Sequence, residues 1–162
     1  MQVRPACADD VEEIVTCLRL AFEPFRSQYT EDAFRDTVPS TEAIRQRIAD
    51  MNVYVAVASD KTVAGTLAAA VLKDEGHLRG IAVLPEWQGQ GVAEQLLARA
   101  EMDLCAAGCT RLTLDTTQPL QRAIRFYEKN GFVPSGRITD FFGMPLHEYV
   151  KRLITPRTAH LR

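Results

Sequence analysis

The stretch of sequence that decides the fold is residues 83–93, which read VLPEWQGQGVA. An apolar strand pattern stops at Pro85, and Gly89 and Gly91 then open a run with helical spacing. Such a turn leaves several backbone N–H groups without partners and aims them, with the positive end of the helix dipole, at whatever lies above. Phosphate oxygens are well suited to that position, so these residues predict a phosphate-binding turn between a strand and a helix.

Two well-known phosphate-binding loops do not fit this turn. A dinucleotide-binding loop requires G-x-G-x-x-G or A, but counting from Gly89 the third small position falls on Glu94. A mononucleotide P-loop requires Gly-Lys followed by Ser or Thr, which the sequence lacks. A nucleotide-binding oxidoreductase is therefore the least favoured of the functions considered.

Outward from the turn, strand and helix patterns alternate without a repeat or a low-complexity linker. The alternation in VYVAVAS and TVAGTLAAAVL predicts two strands joined by a turn at residues 59–61, and HLRGIAVLP predicts a third. Helical spacing from residue 90 to 107 ends at Gly108. Residues 22–39 are predicted to be irregular. The remaining predicted elements are strands near residues 2–4, 111–115, 132–139 and 145–153, and helices near residues 9–22, 40–50 and 119–130.

Composition and length predict one domain over residues 1–153, followed by a tail at 154–162. The 162 residues are 46% apolar and 25% charged, and 19 basic against 21 acidic side chains give a net charge of -2. This balance does not favour nucleic-acid binding, and the sequence contains neither a membrane-spanning run nor a signal-peptide pattern. Four cysteines without a CxxC pair and three histidines without zinc spacing predict reduced thiols in a cytoplasmic protein, with no metal site.

Two blocks of sequence resemble the GNAT superfamily of acyl-CoA-dependent N-acyltransferases. One is the pattern Gln-x-x-Gly-x-Ala at Gln88, Gly91 and Ala93, and the other is AIRFYEKNGF at residues 123–132. The order of the blocks and their separation also resemble that family, and the resemblance extends from about Val53 to Leu153. It implies a single α/β (α+β) domain with a central mixed, largely antiparallel sheet and helices on both faces, splayed where CoA enters.

The resemblance also implies the contacts with CoA. The strand of Ile81, Ala82 and Val83 is expected to hold the pantetheine arm. The pyrophosphate is expected at the loop made of Gln88, Gly89, Gln90, Gly91, Val92, Ala93 and Glu94. Leu120 stands where many members of the family have an asparagine that contacts the pantetheine, and Gln118 and Gln121 are the candidates to replace it.

The implied function is transfer of an acetyl group from acetyl-CoA to a primary amine, which attacks the thioester directly. An alkylamine with a pKa of about 10.4 is mostly protonated at pH 7, which adds about 4.6 kcal/mol to the barrier unless the site helps. Tyr127 aligns with a tyrosine near the CoA sulfur in the family, and is the candidate general acid. An alternative function is a non-catalytic acyl-CoA sensor on the same fold.

His77 is the first candidate for the general base, because a histidine is mostly neutral at pH 7 and can accept a proton. Alternation along the strand puts Glu75, His77, Arg79, Ile81 and Val83 on one face. Glu75, Asp115 and bulk water remain alternatives to His77.

Aromatic residues in two irregular segments, represented by Phe25, Tyr29 and Phe142, are candidates for binding the acceptor. A small-molecule amine and a peptide or protein amine both remain open as the acceptor, and a homodimer is compatible with the sequence. Residues 1–78 hold 8 basic and 13 acidic side chains, whereas residues 79–162 hold 11 and 8. Because the acidic half contains the predicted acceptor segment, this balance favours a cationic acceptor over an acidic one.

Overall fold

The computed structural model describes residues 1–154, so the predicted tail lies outside the described residues apart from Ile154. The described chain forms seven strands and five α-helices. The strands are β1 (Gln2–Pro5), β2 (Asn52–Val57), β3 (Val63–Leu72), β4 (Glu75–Val83), β5 (Arg111–Thr116), β6 (Val133–Phe141) and β7 (Met144–Arg152). The helices are α1 (Val11–Phe22), α2 (Glu31–Thr37), α3 (Thr41–Asp50), α4 (Val92–Ala106) and α5 (Gln121–Lys129). Every predicted strand and helix is present, with ends that shift by no more than two residues.

The segment predicted to be irregular, residues 22–39, contains the additional helix α2. The Thr30 hydroxyl caps this helix by accepting a hydrogen bond from the Ala33 N–H at 3.2 Å. Glu31 and Asp32 lie in its first turn, where the helix dipole favours acidic side chains. Phe34 anchors the helix because its side chain is buried.

The strands form one sheet in the order β1-β2-β3-β4-β5-β7-β6, and β4–β5 is its parallel pair. The other neighbours are antiparallel. Helices α1 and α3 cover one face, and α4 and α5 cover the other. This arrangement confirms the predicted mixed, largely antiparallel sheet with helices on both faces. Within residues 1–154, no helix has both the length and the apolar character needed to cross a membrane.

The parallel contact between β4 and β5 is short. It joins Glu75–Leu78 of β4 to Arg111–Leu114 of β5, and the two strands separate beyond those residues. A gap therefore opens in the middle of the sheet, between the second half of β4 and the end of β5.

A bulge lies in β4 beside this gap. Arg79 pairs with Ala68 and Ala82 pairs with Thr66, so β4 has one residue more than β3 between these pairs. Gly80 is one of the two residues of β4 between these pairs, and its φ of 61° is a conformation that favours glycine.

The bulge changes which side chains of β4 share a face. Ile81 and Val83 pack with Leu78 in the core beneath α4 and α5. The sequence prediction that they share a face with His77 and Arg79 is wrong, because the extra residue reverses the alternation. Strand β4 thus presents His77 and Arg79 towards α1 and α3, and Ile81 and Val83 towards α4 and α5.

Candidate active site

The turn predicted to bind phosphate forms the amino terminus of α4. Its glycines, Gly89 and Gly91, have φ values of 78° and 82°, and a Cβ added at Gly91 meets no described atom within 4 Å. The Gln95 N–H bonds to the Gly91 carbonyl at 3.1 Å, so the amides of residues 92–94 have no partner inside the helix. Unpaired amides below open space make this terminus suitable for an anion.

The Gln88 side chain ties this turn to two other elements. Its Nε2 donates to the Val83 carbonyl at 3.0 Å, and its Oε1 accepts from Arg122 Nη1 at 3.2 Å. The end of β4, the turn and α5 are therefore connected through one side chain.

A cleft of about 630 Å³, called here the large cleft, extends along the turn. It is lined by all the predicted cofactor-binding residues except Gln90. The Gln90 side chain instead donates to the Glu86 carbonyl at 2.8 Å.

The large cleft has a basic wall that the sequence reasoning missed. Arg122, Arg125 and Lys129 of α5 all line it. Their spacing of three and four residues places them on one face of a helix, and this spacing was the signal available in the sequence. Leu120 also lines the large cleft, whereas Gln118 and Gln121 line neither this cleft nor the smaller cavity described next.

A second space of about 260 Å³, called here the small cavity, lies at the gap between β4 and β5. Charged side chains from both strands and from the helices above line it, namely His77, Arg79, Asp115, Asp36 and Arg47. Four residues line both spaces, namely Phe22, Ile81, Leu120 and Tyr127. The large cleft and the small cavity therefore meet at these four side chains.

Tyr127 is 7% exposed and stands at this junction. Its ring packs edge-on against Phe126 and Phe132, with centroid distances of 5.7 and 6.0 Å. Burial raises the pKa of the Tyr127 hydroxyl above its ordinary value, with a smaller contribution from Tyr29. The hydroxyl therefore keeps its proton at neutral pH.

His77 belongs to a chain of hydrogen bonds across β4 and β5. Its Nδ1 lies 2.8 Å from the Thr113 hydroxyl, which donates its proton to Glu75 at 3.1 Å, and Glu75 also pairs with Arg111 at 2.7 Å. Because the Thr113 proton goes to Glu75, the Thr113 oxygen accepts from His77 Nδ1–H, which assigns the tautomer. His77 Nε2 is then free to accept a proton, and it lies 3.5 Å from Asp115 Oδ2.

The three side chains considered as bases are thereby distinguished. Glu75 is engaged by Arg111 and Thr113 and does not line either cavity, whereas His77 and Asp115 both line the small cavity. Burial raises the pKa of the Asp115 carboxyl, against an opposing effect of His77.

The three aromatic residues predicted to bind the acceptor lie in different places. Tyr29 lines the small cavity, and its hydroxyl lies 2.6 Å from the Thr117 hydroxyl. Phe25 lines the large cleft. Phe142 lines neither cavity and is 52% exposed in the turn between β6 and β7, whereas its neighbour Phe141 lines the small cavity.

Comparisons with known proteins agree with this architecture. A family model described as the acetyltransferase (GNAT) family matches residues 12–132. An acetyltransferase of Photorhabdus laumondii is 26% identical over 130 residues, which cover 80% of this chain and 84% of that relative. An aminoglycoside N(6')-acetyltransferase type 1 of Stenotrophomonas maltophilia is 31% identical over 116 residues, which cover 65% and 75% of the two chains.

Solved structures share the fold. The PaiA N-acetyltransferase of Thermoplasma acidophilum, crystallised in complex with coenzyme A, has a TM-score of 0.78 and 21% identity, covering 93% of this chain and 98% of that one. A ribosomal-protein-alanine N-acetyltransferase of Brucella melitensis has a TM-score of 0.75 and 18% identity, covering 94% and 100%. Because the family model matches most of the chain and the fold agrees, the chain belongs to the GNAT family of acetyltransferases.

Proposed function

We propose that the protein transfers an acetyl group from acetyl-CoA to a primary amine, which attacks the thioester directly. The observation that carries this proposal is the junction of the large cleft with the small cavity at Tyr127. One space has the features of an anion site, and the other contains two candidate proton acceptors, His77 and Asp115. The coenzyme A bound to the PaiA relative of the same fold is consistent with this assignment.

The residues of the large cleft fit acetyl-CoA, which supplies an acetyl group activated as a thioester. The free amides of residues 92–94 and the open space at Gly91 suit the pyrophosphate. Arg122, Arg125 and Lys129 supply positive charge for the phosphates. Because the pairing of β4 with β5 ends at Leu78, the edge of residues 81–83 beside the gap is available to hydrogen-bond the pantetheine arm, apart from the Val83 carbonyl that accepts from Gln88.

His77 is the proposed general base. Its Nε2 takes the proton that the acceptor amine loses, and Thr113 holds the ring in the tautomer that makes this transfer feasible. Asp115, 3.5 Å away, then stabilises the positively charged imidazolium. By removing the proton of the amine, this pair lowers the barrier of about 4.6 kcal/mol that a protonated alkylamine presents at pH 7.

Tyr127 is the proposed general acid. The departing CoA sulfur needs a proton, and a hydroxyl that remains protonated beside both cavities can donate one. Phe126 and Phe132 hold the ring by packing against it.

The proposal is tested by incubating the purified protein with acetyl-CoA and a broad panel of amines, and measuring release of CoA thiol. Release is expected only when acetyl-CoA and an amine are both present. Tyr127→Phe and His77→Ala are each expected to lower kcat by about 100-fold or more, the range of general acid–base catalysis. Tyr149→Phe and His147→Ala are matched controls, because Tyr149 is equally buried and neither residue lines the large cleft or the small cavity.

Two other outcomes separate the competing functions. Tight binding of acetyl-CoA without turnover across the panel contradicts the enzyme and supports the non-catalytic sensor. Binding of NAD in place of CoA contradicts both functions.

A further inference from the structure

Arg47 of α3 is a charged side chain that the proposed reaction does not use. It lines the small cavity and is half-buried. The other cation of this cavity, Arg79, pairs with Asp36 at 3.8 Å. The Arg47 guanidinium forms no hydrogen bond or ion pair with any residue between 1 and 154.

The bulge in β4 provides the space for Arg47. A Cβ added at Gly80 comes within 2.9 Å of Arg47 Nη1, so the guanidinium lies directly against the backbone of Gly80 beside the gap. The guanidinium therefore lies where β4 and β5 separate, and it lines the same cavity as His77.

Arg47 stays charged in this position. Burial, helped by the nearby Arg79 and opposed by Asp36, lowers the pKa of Arg47 to about 10. A charge removed from water without a partner is unfavourable, and buried charges in proteins are generally paired. A carboxylate is a suitable partner because the planar guanidinium can bind it through two parallel hydrogen bonds.

The small cavity contains charges of opposite sign at two separate positions. The pair of Arg79 with Asp36 leaves one unpaired cation, Arg47, and one carboxylate, Asp115, which faces a histidine. In addition, Thr116 is 3% exposed and lines this cavity, and its hydroxyl lacks a partner among the described residues. A ligand with both a positive and a negative group matches this arrangement.

The acidic side chains that suggested a cationic acceptor do not contradict this view. The structure pairs these four carboxylates with three arginines, which offsets most of their negative charge. The pairs are Glu23 with Arg26, Glu31 and Asp32 with Arg35, and Asp36 with Arg79.

Resting on the proposed function, we infer that the acceptor is a small molecule with a carboxylate as well as an amine, as in an amino acid. Arg47 binds the carboxylate, and the amine faces His77 and Asp115. The volume of about 260 Å³ agrees with a small acceptor, because pockets for drug-sized ligands are typically about 300–1,000 Å³.

The test compares matched sets of acceptors: each amino acid, its carboxamide, and the amine that lacks the carboxyl group altogether. The expected kcat/KM for the acid is about 10–100-fold above that for the amide and the amine, the range for a charge-assisted hydrogen bond. Arg47→Gln is expected to lower the value for the acid to that of the amide. Arg45→Gln is the matched control, since Arg45 lies exposed on the same helix and lines neither cavity.

Equal acetylation of the acid, the amide and the amine overturns the inference, and so does a preference for the acid that survives in Arg47→Gln. In both cases thiol release continues, so the proposed function stands. Failure of the proposed function is recognised separately, by the absence of thiol release with every acceptor.

A binding measurement tests carboxylate recognition without turnover. In the presence of CoA, the amino acid is expected to raise the melting temperature of the native protein and of Arg45→Gln, but not of Arg47→Gln. Equal shifts with acid and amide, or no shift with any member of the set, contradict the inference.

Discussion

Asp115 and Tyr127 are two acids whose protonated forms the fold favours, in each case mainly through burial. For Tyr127 the result is a proton donor that persists well above neutral pH. For Asp115 the result is a carboxylate that accepts protons more readily than an exposed one, placed 3.5 Å from His77 Nε2. Such shifts are typical of groups that transfer protons, and at pH 7 the raised pKa of Asp115 reduces the stability of the native state.

The stability of the protein should therefore increase when Asp115 is replaced by Asn. The pKa of Asp115 is higher in the folded than in the unfolded chain, so its favourable contribution is present at low pH and is lost as pH rises through the folded pKa. Asp115→Asn is expected to raise the melting temperature at pH 7 by no more than about 2 °C, because the side chain is partly exposed and solvent screens it. The gain should vanish towards pH 3, as followed by calorimetry.

Asp60→Asn is the control with the opposite sign. The Thr62 N–H donates to Asp60 at 3.0 Å, and this backbone hydrogen bond lowers the pKa of Asp60. Its stabilising contribution is present above the ordinary pKa and is lost on acidification. A lower melting temperature for Asp115→Asn at pH 7 would contradict the raised pKa of Asp115.

Single residues were predicted unevenly from the sequence. Tyr127 and His77 both line the small cavity, and the sequence singled them out because one lies in a recognisable block and the other on a strand before the turn. Phe142 was preferred as an acceptor residue although Phe141 lines the small cavity, because composition cannot tell which of two neighbouring aromatics faces inward. Arg47 was missed because its role depends on a bulge in a strand distant in sequence.

At the scale of elements, α4 is flanked by glycines with similar backbone conformations but different surroundings. Gly91 at its amino terminus and Gly108 after its carboxyl terminus have φ values of 82° and 92°. A Cβ added at either position meets no described atom within 4 Å. Gly91 lines the large cleft, whereas Gly108 lines neither cavity.

This pair separates backbone strain from cofactor binding. Gly91→Ala and Gly108→Ala are each expected to cost about 1–2 kcal/mol of stability, because an alanine at positive φ is strained. Gly91→Ala alone is expected to raise the KM for acetyl-CoA, by about 10-fold or more, because the added methyl group occupies the space above the free amides. Chemical denaturation and steady-state kinetics on both variants provide the measurements, and equal KM values would exclude the turn as the phosphate site.

Elements were predicted best where a local pattern determines them. The helices and strands around the turn have strong spacing and glycine stops, and their ends agree closely with the structure. Helix α2 was missed although Thr30 and the acidic first turn signalled it, because neighbouring prolines suggested an irregular segment. The predicted alternation of β4 is wrong beyond Gly80, because a bulge depends on pairing with β3 and leaves no sign in the sequence pattern of β4.

On the scale of the whole molecule, the charge of -2 conceals an uneven distribution. The basic side chains of α5 lie along the large cleft, and Glu23, Glu31, Asp32 and Asp36 of the predicted acceptor segment are engaged in pairs with arginine. The positive balance of residues 79–162 agrees with the positive charge along the large cleft. The balances of the two halves did not describe the small cavity, because a sum over residues cannot show which charges are paired.

Binding of acetyl-CoA should accordingly depend on salt. The KM for acetyl-CoA is expected to rise several-fold as the salt concentration increases from 50 to 500 mM, since screening shortens the range of charge interactions from about 10 Å at 0.1 M to about 3 Å at 1 M. The double substitution Arg122→Gln and Arg125→Gln should reduce this dependence, whereas Arg19→Gln on the exposed face of α1 should not. A KM unaffected by salt would contradict a role for the basic wall.

The short contact between β4 and β5 also has a consequence for the order in which the chain can fold. Strands β2, β3 and β4 follow one another through tight turns, as do β6 and β7, so these pairings close only short loops. The parallel pairing of β4 with β5 instead requires α4 to cross over between them, and only Glu75–Leu78 and their partners contribute to it. Only a few backbone hydrogen bonds thus offset the entropic cost of joining the two parts of the sheet. The helices packed on either face must therefore stabilise the contact between β4 and β5.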